Sequence, residues 1–272
     1  MGKRIYLSIL SLVTVACIIA GVLWNIGGYT GIFRGSGRET NGNADQTTGN
    51  TAFTRIDIDV TSMDVTVKTG DGFHVSWTCP EKLVPECRAD GTTLTVRQRG
   101  YTRDSWLHLG STTSELTVTV PKGTVLEKLT VSSDAGNLTL SGLNTADTEL
   151  TTAAGNITAE GSALGQADVH SAAGNITITS CTSAELLTVQ SNAGNVKITS
   201  CTFENLTAKS NAGNVTLRSD TDLSAYGMRL STDLGDVSCN GLSGKDKSYE
   251  AAGTNGFMIS LEGNLGNVSV NW

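Results

Sequence analysis

Proline, histidine and aromatic residues are scarce in this chain of 272 residues: only 3 are Pro, 3 are His, and aromatic residues make up 5%. So little Pro excludes a collagen-like or proline-rich disordered chain, and a hydrophobic content of 38% is high enough for a folded core. Short pairs of β-branched residues alternate with Thr, Ser, Asn and Gly, which is typical of many short strands rather than of helical bundles. The composition therefore predicts an all-β protein.

Long clusters of Lys and Arg are also missing. The whole chain has 19 Lys and Arg against 26 Asp and Glu. Four of the basic residues, Lys3, Arg4, Arg34 and Arg38, precede the first acidic residue, so the chain from Glu39 onward has 15 basic and 26 acidic residues and a net charge of −11. An acidic surface repels phosphate backbones. We therefore expect no nucleic-acid partner.

The residues that catalysis or metal binding would need form no recognisable group. His74, His108 and His170 lack the spacing of a zinc site. Asp57 and Asp59 should both point outward from one strand, whereas glycoside hydrolysis needs a carboxylate pair in a cleft. We predict no catalytic residue, no cofactor and no metal site. A polysaccharide-active enzyme is the weakest alternative, because only architecture and location suggest it.

A hydrophobic run without charged residues extends from Ile5 to Trp24, directly after Lys3 and Arg4. A helix of this length spans roughly 30 Å, the thickness of the hydrocarbon core of a bilayer. A cleaved signal peptide would have a shorter apolar core. The run therefore predicts a single-pass transmembrane anchor over residues 5–26, with residues 1–4 in the cytoplasm and the C-terminal domain outside the cell membrane.

Residues 14–17 (Thr-Val-Ala-Cys) loosely resemble a bacterial lipobox, in which Cys17 would be lipidated and become the N-terminus. Cleavage at this point would leave a hydrophobic start, whereas lipoproteins usually have a polar tether there. We favour Cys17 as a small apolar residue within the anchor, with lipidation as the alternative.

Between residues 27 and 52 the composition shifts to Gly, Asn, Thr and Ser without hydrophobic periodicity. Such a segment is typical of a flexible linker, with a reach of roughly 30 Å. The linker would hold the following domain close to the outer face of the membrane.

A repeat with a period near 19 residues fills the second half of the chain. Gly followed by Asn or Asp and an aliphatic residue recurs at Gly136, Gly155, Gly174, Gly194, Gly213, Gly235 and Gly266. The residues two and four positions after each Gly, and five and seven positions before it, are mostly apolar, while those between are mostly polar. This alternation is typical of strands with one buried face, two strands per coil.

These repeats predict a single-stranded parallel β-solenoid, or β-helix, with coils of about 19–20 residues over residues 122–272. Weaker alternation over residues 53–121 predicts irregular N-terminal β coils that also form a cap. Each corner Gly would supply an unusual backbone conformation or a close approach, and the Asn or Asp after it can stack in an amide ladder.

The last strand pattern, Val268 to Trp272, coincides with the end of the sequence, which predicts an uncovered C-terminal coil. An uncovered coil exposes unpaired backbone groups to another molecule. End-to-end self-association is therefore an alternative function.

Five cysteines follow the predicted anchor. Cys181 and Cys201 each stand seven residues after a corner Gly, so adjacent coils should bring their α-carbons to roughly 5 Å, within disulfide range. Cys79 and Cys87 are close enough in sequence to close a short loop. Cys239 falls in an apolar column and is expected to be buried. Disulfide bonds and reduced thiols remain alternatives for both pairs.

Three features carry a resemblance to a known family: Leu-Thr-Val-Thr-Val-Pro at 116–121, Leu-Thr-Val-Ser-Ser-Asp-Ala-Gly-Asn-Leu-Thr-Leu at 129–140, and the serial Ala-Gly-Asn-aliphatic-Thr repeats. Together with the hydrophobic N-terminal segment, they resemble the putative-adhesin family of bacterial β-strand-repeat proteins, a domain of unknown function associated with cell-envelope stress proteins. The resemblance covers about residues 53 to 272 and brings no established catalytic residues.

The resemblance and the predicted anchor together imply a membrane-anchored, extracytoplasmic β-solenoid protein of the bacterial cell envelope. Its role would be non-enzymatic, in adhesion, interaction or envelope stress. The expected partner is a cell-wall component or another protein.

Overall fold

The computed structural model describes residues 39–44, 53–98, 114–243 and 247–272, which fold into β-strands and one short 3-10 helix at Glu81–Leu83. The strands are β1 (Glu39–Ala44), β2 (Arg55–Val60), β3 (Asp64–Gly70), β4 (His74–Pro80), β5 (Glu86–Asp90), β6 (Thr93–Arg97), β7 (Glu115–Pro121), β8 (Val125–Leu126), β9 (Lys128–Ala135), β10 (Leu138–Ser141), β11 (Asn144–Thr145), β12 (Asp147–Ala154), β13 (Ile157–Glu160), β14 (Gln166–Ala173), β15 (Ile176–Thr179), β16 (Thr182–Ala193), β17 (Val196–Thr199), β18 (Thr202–Ala212), β19 (Val215–Arg218), β20 (Gly227–Leu234), β21 (Val237–Cys239), β22 (Leu242–Ser243), β23 (Ser248–Ala251), β24 (Met258–Leu265) and β25 (Val268–Asn271).

Most of these strands belong to two sheets, one of 12 strands and one of 11, with mainly parallel neighbours. In a regular coil the chain follows a strand of the 11-stranded sheet, turns at the Gly-Asn corner and continues in a short strand of the 12-stranded sheet. Thus β12 leads into β13; β12 pairs with β9 and β14, and β13 pairs with β10 and β15, all in parallel. The predicted all-β, mostly parallel solenoid is confirmed.

Alternate residues of both sheets point into one hydrophobic core. The position two residues after the corner Gly forms a continuous column, in which Ile157 pairs with Leu138 on one side and with Ile176 on the other. Val65 and Leu116 of the N-terminal coils extend the same column. Burial of each such side chain is worth about 1.5–3 kcal/mol, so the coils are held together mainly by this interior.

The corner glycines are required because successive backbones come very close at the corner. A Cβ added to Gly155 would lie well within 3.0 Å of the carbonyl oxygen of Gly136, and one added to Gly174 would meet Gly155 in the same way. Of the two roles predicted for these glycines, close approach is the one that the seven corners share. By contrast, a Cβ on Gly161, at the next turn of its coil, would meet nothing within 4 Å.

Substitution of Gly155 by Ala should lower the free energy of unfolding by about 3 kcal/mol, since the added methyl group forces two coils apart. Gly161→Ala is the matched control: its φ of 56° favours Gly, but open space surrounds it, so we expect a loss of about 1 kcal/mol. Urea denaturation measures both values. Equal losses would contradict a steric requirement at the corner.

At the C-terminal end the spatial order of the coils differs from their order in the chain. The coil of β24 and β25 lies between two earlier coils: β24 pairs with β18 and β20, and β25 pairs with β19 and β21. The prediction that Val268 to Trp272 forms an uncovered end is therefore wrong. The coil of β20 and β21 comes earlier in the chain but lies at the end of the stack. The coil of β24 and β25 comes last in the chain and lies directly beside β18 and β19.

Antiparallel strands cover the outermost coil at both ends. At one end β4 pairs with β7 and β5 pairs with β6; at the other, β22 pairs with β21 and β23 pairs with β20. Of the last two, β22 has only 2 residues and β23 only 4. Short, reversed edge strands are poor templates for a second parallel solenoid. The uncovered C-terminal coil, from which the sequence predicts end-to-end self-association, is therefore absent from the described structure.

Replacing residues 241–252 by a short Gly-Ser linker deletes β22 and β23 and uncovers β20 and β21. We expect the wild-type protein to sediment as a monomer and the deletion variant to associate with increasing concentration, because paired edges become open ones. Far-UV circular dichroism controls for unfolding. A folded variant that stays monomeric would show that these strands do not prevent association.

Within the predicted linker, residues 27–52, the structure places β1 next to β4 at the edge of the 12-stranded sheet, whereas the sequence predicts a tether there. The predicted cytoplasmic N-terminus and anchor, residues 1–26, lie outside the described residues. Within the part of the chain that the structure does describe, no helix has the length and hydrophobicity needed to span a membrane.

Candidate interaction face

The Asn or Asp that follows each corner Gly forms a hydrogen-bonded ladder along the solenoid. The Oδ1 atom of Asn137 accepts the backbone N–H of Asn156 at 2.9 Å, and Oδ1 of Asn156 accepts the backbone N–H of Asn175 at 2.8 Å. Asp64 and Asp236 occupy the two ends of the ladder. The members in spatial order are Asp64, Asn137, Asn156, Asn175, Asn195, Asn214, Asn267 and Asp236. The predicted amide ladder is confirmed, with backbone N–H groups as its principal donors.

A second column, made of buried Ser and Thr side chains on the inner side of the corner, forms hydrogen bonds to the backbone of the corner. Three residues before the corner Gly, a buried Ser or Thr donates its hydroxyl to the carbonyl of the corner in the neighbouring coil. Ser191 donates to Gly174 O at 2.9 Å, and Ser210 donates to Gly194 O at 2.8 Å. The column comprises Ser133, Thr152, Ser171, Ser191, Ser210 and Thr232. Sequence reasoning missed it, although a hydroxyl recurs at this position in six of the seven repeats.

Outside, a column of hydroxyl side chains runs beside the Asn ladder on the 12-stranded sheet. It occupies the position three residues after the corner Gly and is only partly exposed in most coils. In spatial order its members are Ser76, Thr117, Thr66, Thr139, Thr158, Thr177, Lys197, Thr216, Ser269 and Ser238. We call this hydroxyl column and the Asn ladder together the ladder face.

The ladder face presents the same groups at a regular interval. Its rows repeat with the strand spacing of about 4.8 Å, and its two columns lie roughly 7 Å apart, two residues along a strand. Between Asp64 and Asp236, Lys197 is the one charged residue in the two columns. The face therefore offers amide and hydroxyl hydrogen-bonding groups in a nearly uncharged array.

The outer side of the 11-stranded sheet has a different chemistry. Lys209 pairs with Glu262 at 2.7 Å, Lys128 pairs with Asp147 at 3.0 Å, and Arg97 pairs with Asp57. Such exposed ion pairs contribute little to stability, at most about 1 kcal/mol each, but they give this side an alternating charge. The two sides of the solenoid are thus distinct surfaces.

The two described histidines lie on different sheets. His74 lies in β4 of the 12-stranded sheet and His170 in β14 of the 11-stranded sheet, while His108 is outside the described residues. Asp57 is paired with Arg97, and Asp59 is exposed on the same strand. Among the described residues, no group of three His, Cys, Asp or Glu could hold a metal ion.

The five described cysteines are free. Cys181 and Cys201 are stacked as predicted, since the backbone N–H of Cys181 donates to Cys201 Sγ at 3.4 Å. Cys79 and Cys87 lie in β4 and β5, strands of different sheets, and burial raises the pKa of Cys87 to about 11. Cys239 is buried, as its apolar column predicts.

Comparison with known proteins identifies the family. A model of the Toastrack DUF4097 family matches residues 53–240, and the chain belongs to this family. The putative-adhesin resemblance seen in the sequence is therefore confirmed. No curated protein matches the chain.

One solved structure has the same fold at low sequence identity, and two others are similar over most of the chain. A putative adhesin from Bacteroides fragilis is 13% identical, with a TM-score of 0.55 over 86% of this chain and 97% of its own. A putative adhesin from Parabacteroides distasonis is 12% identical, with a TM-score of 0.45 over 87% and 98% of the two chains. A putative lipid binding protein from the same species is 14% identical, with a TM-score of 0.41 over the same shares, 87% and 98%.

Replacing the inner hydroxyl of one coil tests the support of the ladder. Ser191→Ala leaves the carbonyl of Gly174 without its donor, so we expect the free energy of unfolding to fall by about 1–3 kcal/mol. Thr188→Ala, on the outer side of the same strand, is the control, with an expected change below about 0.5 kcal/mol. Urea denaturation of both variants gives the comparison. Equal effects would show that the inner bond adds nothing to stability.

Proposed function

We propose that this chain is a membrane-anchored, non-enzymatic adhesion protein of the bacterial cell envelope that binds a cell-wall polymer through its ladder face. The ladder face carries the proposal, because it is the repeating, nearly uncharged surface of the solenoid. The hydrophobic run over residues 5–26 supports anchoring, and membership of the Toastrack family supports the architecture.

A repeating surface suits a repeating ligand. Wall glycans present hydroxyl and amide groups at regular intervals, and each hydrogen bond between such groups adds a modest 0.5–1.5 kcal/mol, roughly. A single row would therefore bind weakly, but successive rows add their contributions within one molecule, because the first contact raises the effective concentration of the next. The face needs no deep pocket for this kind of binding.

The remaining chemistry agrees with binding rather than catalysis. His74 and His170 lie on different sheets, and the outward carboxylate Asp57 is paired with Arg97. An acidic chain, with a net charge of −7, has no general attraction for anionic polymers, so recognition must come from directed contacts. A link to envelope stress would then follow from wall contact being sensed at the membrane, where residues 5–26 would anchor the chain.

The test is co-sedimentation of residues 27–272 with isolated Gram-positive cell walls, with and without their attached proteins. We expect saturable binding to the stripped walls. A triple variant, Thr158→Val, Thr177→Val and Thr216→Val, removes three hydroxyls of the ladder face with little change in volume. It should bind at least about tenfold more weakly, equivalent to about 1.4 kcal/mol or more.

The matched control removes three outward hydroxyls from the 11-stranded sheet: Thr130→Val, Thr188→Val and Thr207→Val. It should bind as the unchanged protein does. Equal weakening by both triple variants would reject the ladder face, and binding only to walls that retain their proteins would replace the polymer by a protein receptor. Absence of binding to either preparation would contradict the wall-adhesion proposal.

A further inference from the structure

Two buried thiols lie one above the other in adjacent coils. Cys181 and Cys201 follow β15 and β17 and occupy equivalent positions, with exposed fractions of 2% and 5%. The residues after them, Thr182 and Thr202, are paired in register. Neighbouring parallel strands are about 4.8 Å apart, which falls within the Cα separation of 4.4–6.8 Å, roughly, that a disulfide bond requires.

The two sulfur atoms contact backbone groups of the same turn in adjacent coils. Cys201 Sγ accepts the backbone N–H of Cys181 at 3.4 Å, and the Cys201 thiol donates to Thr199 O at 3.2 Å. The Cys181 thiol donates to Thr179 O at 3.4 Å. A hydrogen bond from the Cys201 thiol to the Cys181 sulfur, made in place of the one to Thr199 O, lowers the pKa of Cys181 to about 7 and raises the pKa of Cys201. The neighbouring thiol thus favours the thiolate form of Cys181, whereas burial disfavours it.

The structural role at this corner does not itself require sulfur. One coil earlier in the chain, Ser162 fills the same position, and its Oγ accepts the backbone N–H of Leu143 at 3.1 Å. A Ser in place of either Cys would keep this pattern of side chain to backbone bonds. The fold therefore needs a hydrogen-bonding side chain at this position, but it does not need a thiol.

The turn that precedes each thiol is strained in these two coils. Ser180 and Ser200 have φ angles of 52° and 53°, whereas Gly142 and Gly161 take the equivalent position in the two preceding coils. A residue with a Cβ pays roughly 1 kcal/mol or more in this left-handed region. Local opening of the corner, which a reagent needs in order to reach the sulfurs, therefore costs less here than at the glycine corners.

We propose that Cys181 and Cys201 form a redox-active dithiol that closes to a cross-coil disulfide by exchange with small organic disulfides. The Cys181 thiolate attacks one sulfur of the reagent, forms a mixed disulfide and expels one thiolate. Cys201, once deprotonated, attacks the Cys181 sulfur and expels the second. Two cysteine thiols are oxidised, the reagent disulfide is reduced to two thiols, and the cysteine protons end on those thiols.

The new bond would join two central coils at positions 20 residues apart in the chain. It prevents these coils from separating and so stabilises the middle of the ladder face. Disulfide bonds persist in oxidising surroundings such as the outside of the cell membrane, so a role for this bond in the cell rests on the proposed location. The exchange chemistry does not depend on wall binding, so oxidation of the two cysteines can be measured whether or not the protein binds a cell wall.

The full-length chain, purified reduced in detergent micelles, is incubated with oxidised glutathione and then alkylated and digested with trypsin. Cleavage after Lys197 separates the two cysteines into the peptides 129–197 and 198–209. We expect these peptides to be joined by a disulfide, and the melting temperature of the oxidised protein to rise by about 5–10 °C. Reduction should reverse both effects.

Two variants make the result specific. Cys201→Ser, which introduces the residue type that Ser162 has at this position two coils earlier, should abolish the linked peptides and the rise in melting temperature. The double variant Cys79→Ser and Cys87→Ser should retain both. Failure of the native wild-type chain to form the link, or linked peptides that appear only in denaturant, would overturn the proposal. Stable glutathione adducts at both cysteines would do so as well.

Discussion

The contact between backbones at the Gly-Asn corner is the constraint on which the rest of this structure depends. At Gly155, Gly174 and their equivalents the chain comes so close to the preceding coil that no Cβ fits between them. This approach places Oδ1 of one Asn within hydrogen-bond distance of the next backbone N–H, and it brings the inner Ser or Thr to the carbonyl of the corner. Polar groups that a tight turn would otherwise leave unpaired are thereby satisfied from both sides.

The same stacking produces the interior and the surface. Because side chains alternate along each strand, every coil adds an aliphatic residue inside and a hydroxyl or amide outside at the same interval. Core packing thus sets the spacing of the ladder face without separate positioning residues. The outward groups are held on strands whose other face is buried, so they keep little conformational freedom to lose in a contact with another molecule.

Sequence periodicity predicted the columns because inward and outward positions differ in polarity, and it predicted the Asn ladder and the stacked Cys181 and Cys201 because equivalent positions align in a solenoid. It could not predict the order of the coils. All coils have nearly the same apolar pattern, so the sequence of β24 and β25 would pair equally well with the strands of any other coil. Only long-range packing places them beside β18 and β19. The covering strands β22 and β23 are too short to give a periodic signal. The inner hydroxyls were overlooked since Ser and Thr at a buried position contradict a purely apolar expectation.

The placement of the last coil has a consequence for biosynthesis. A regular solenoid can grow one coil at a time as the chain emerges, but here β20 and β21 are made before the coil that must separate them from β18 and β19. Until Asn271, the end of β25, has been synthesised, the open side of the stack lacks its partner. Premature closure of β20 onto β18 would bury similar residues in the wrong register. Folding that is delayed until the last coil has been made would avoid this trap, so the order of the coils favours folding after synthesis of the whole stack over folding coil by coil.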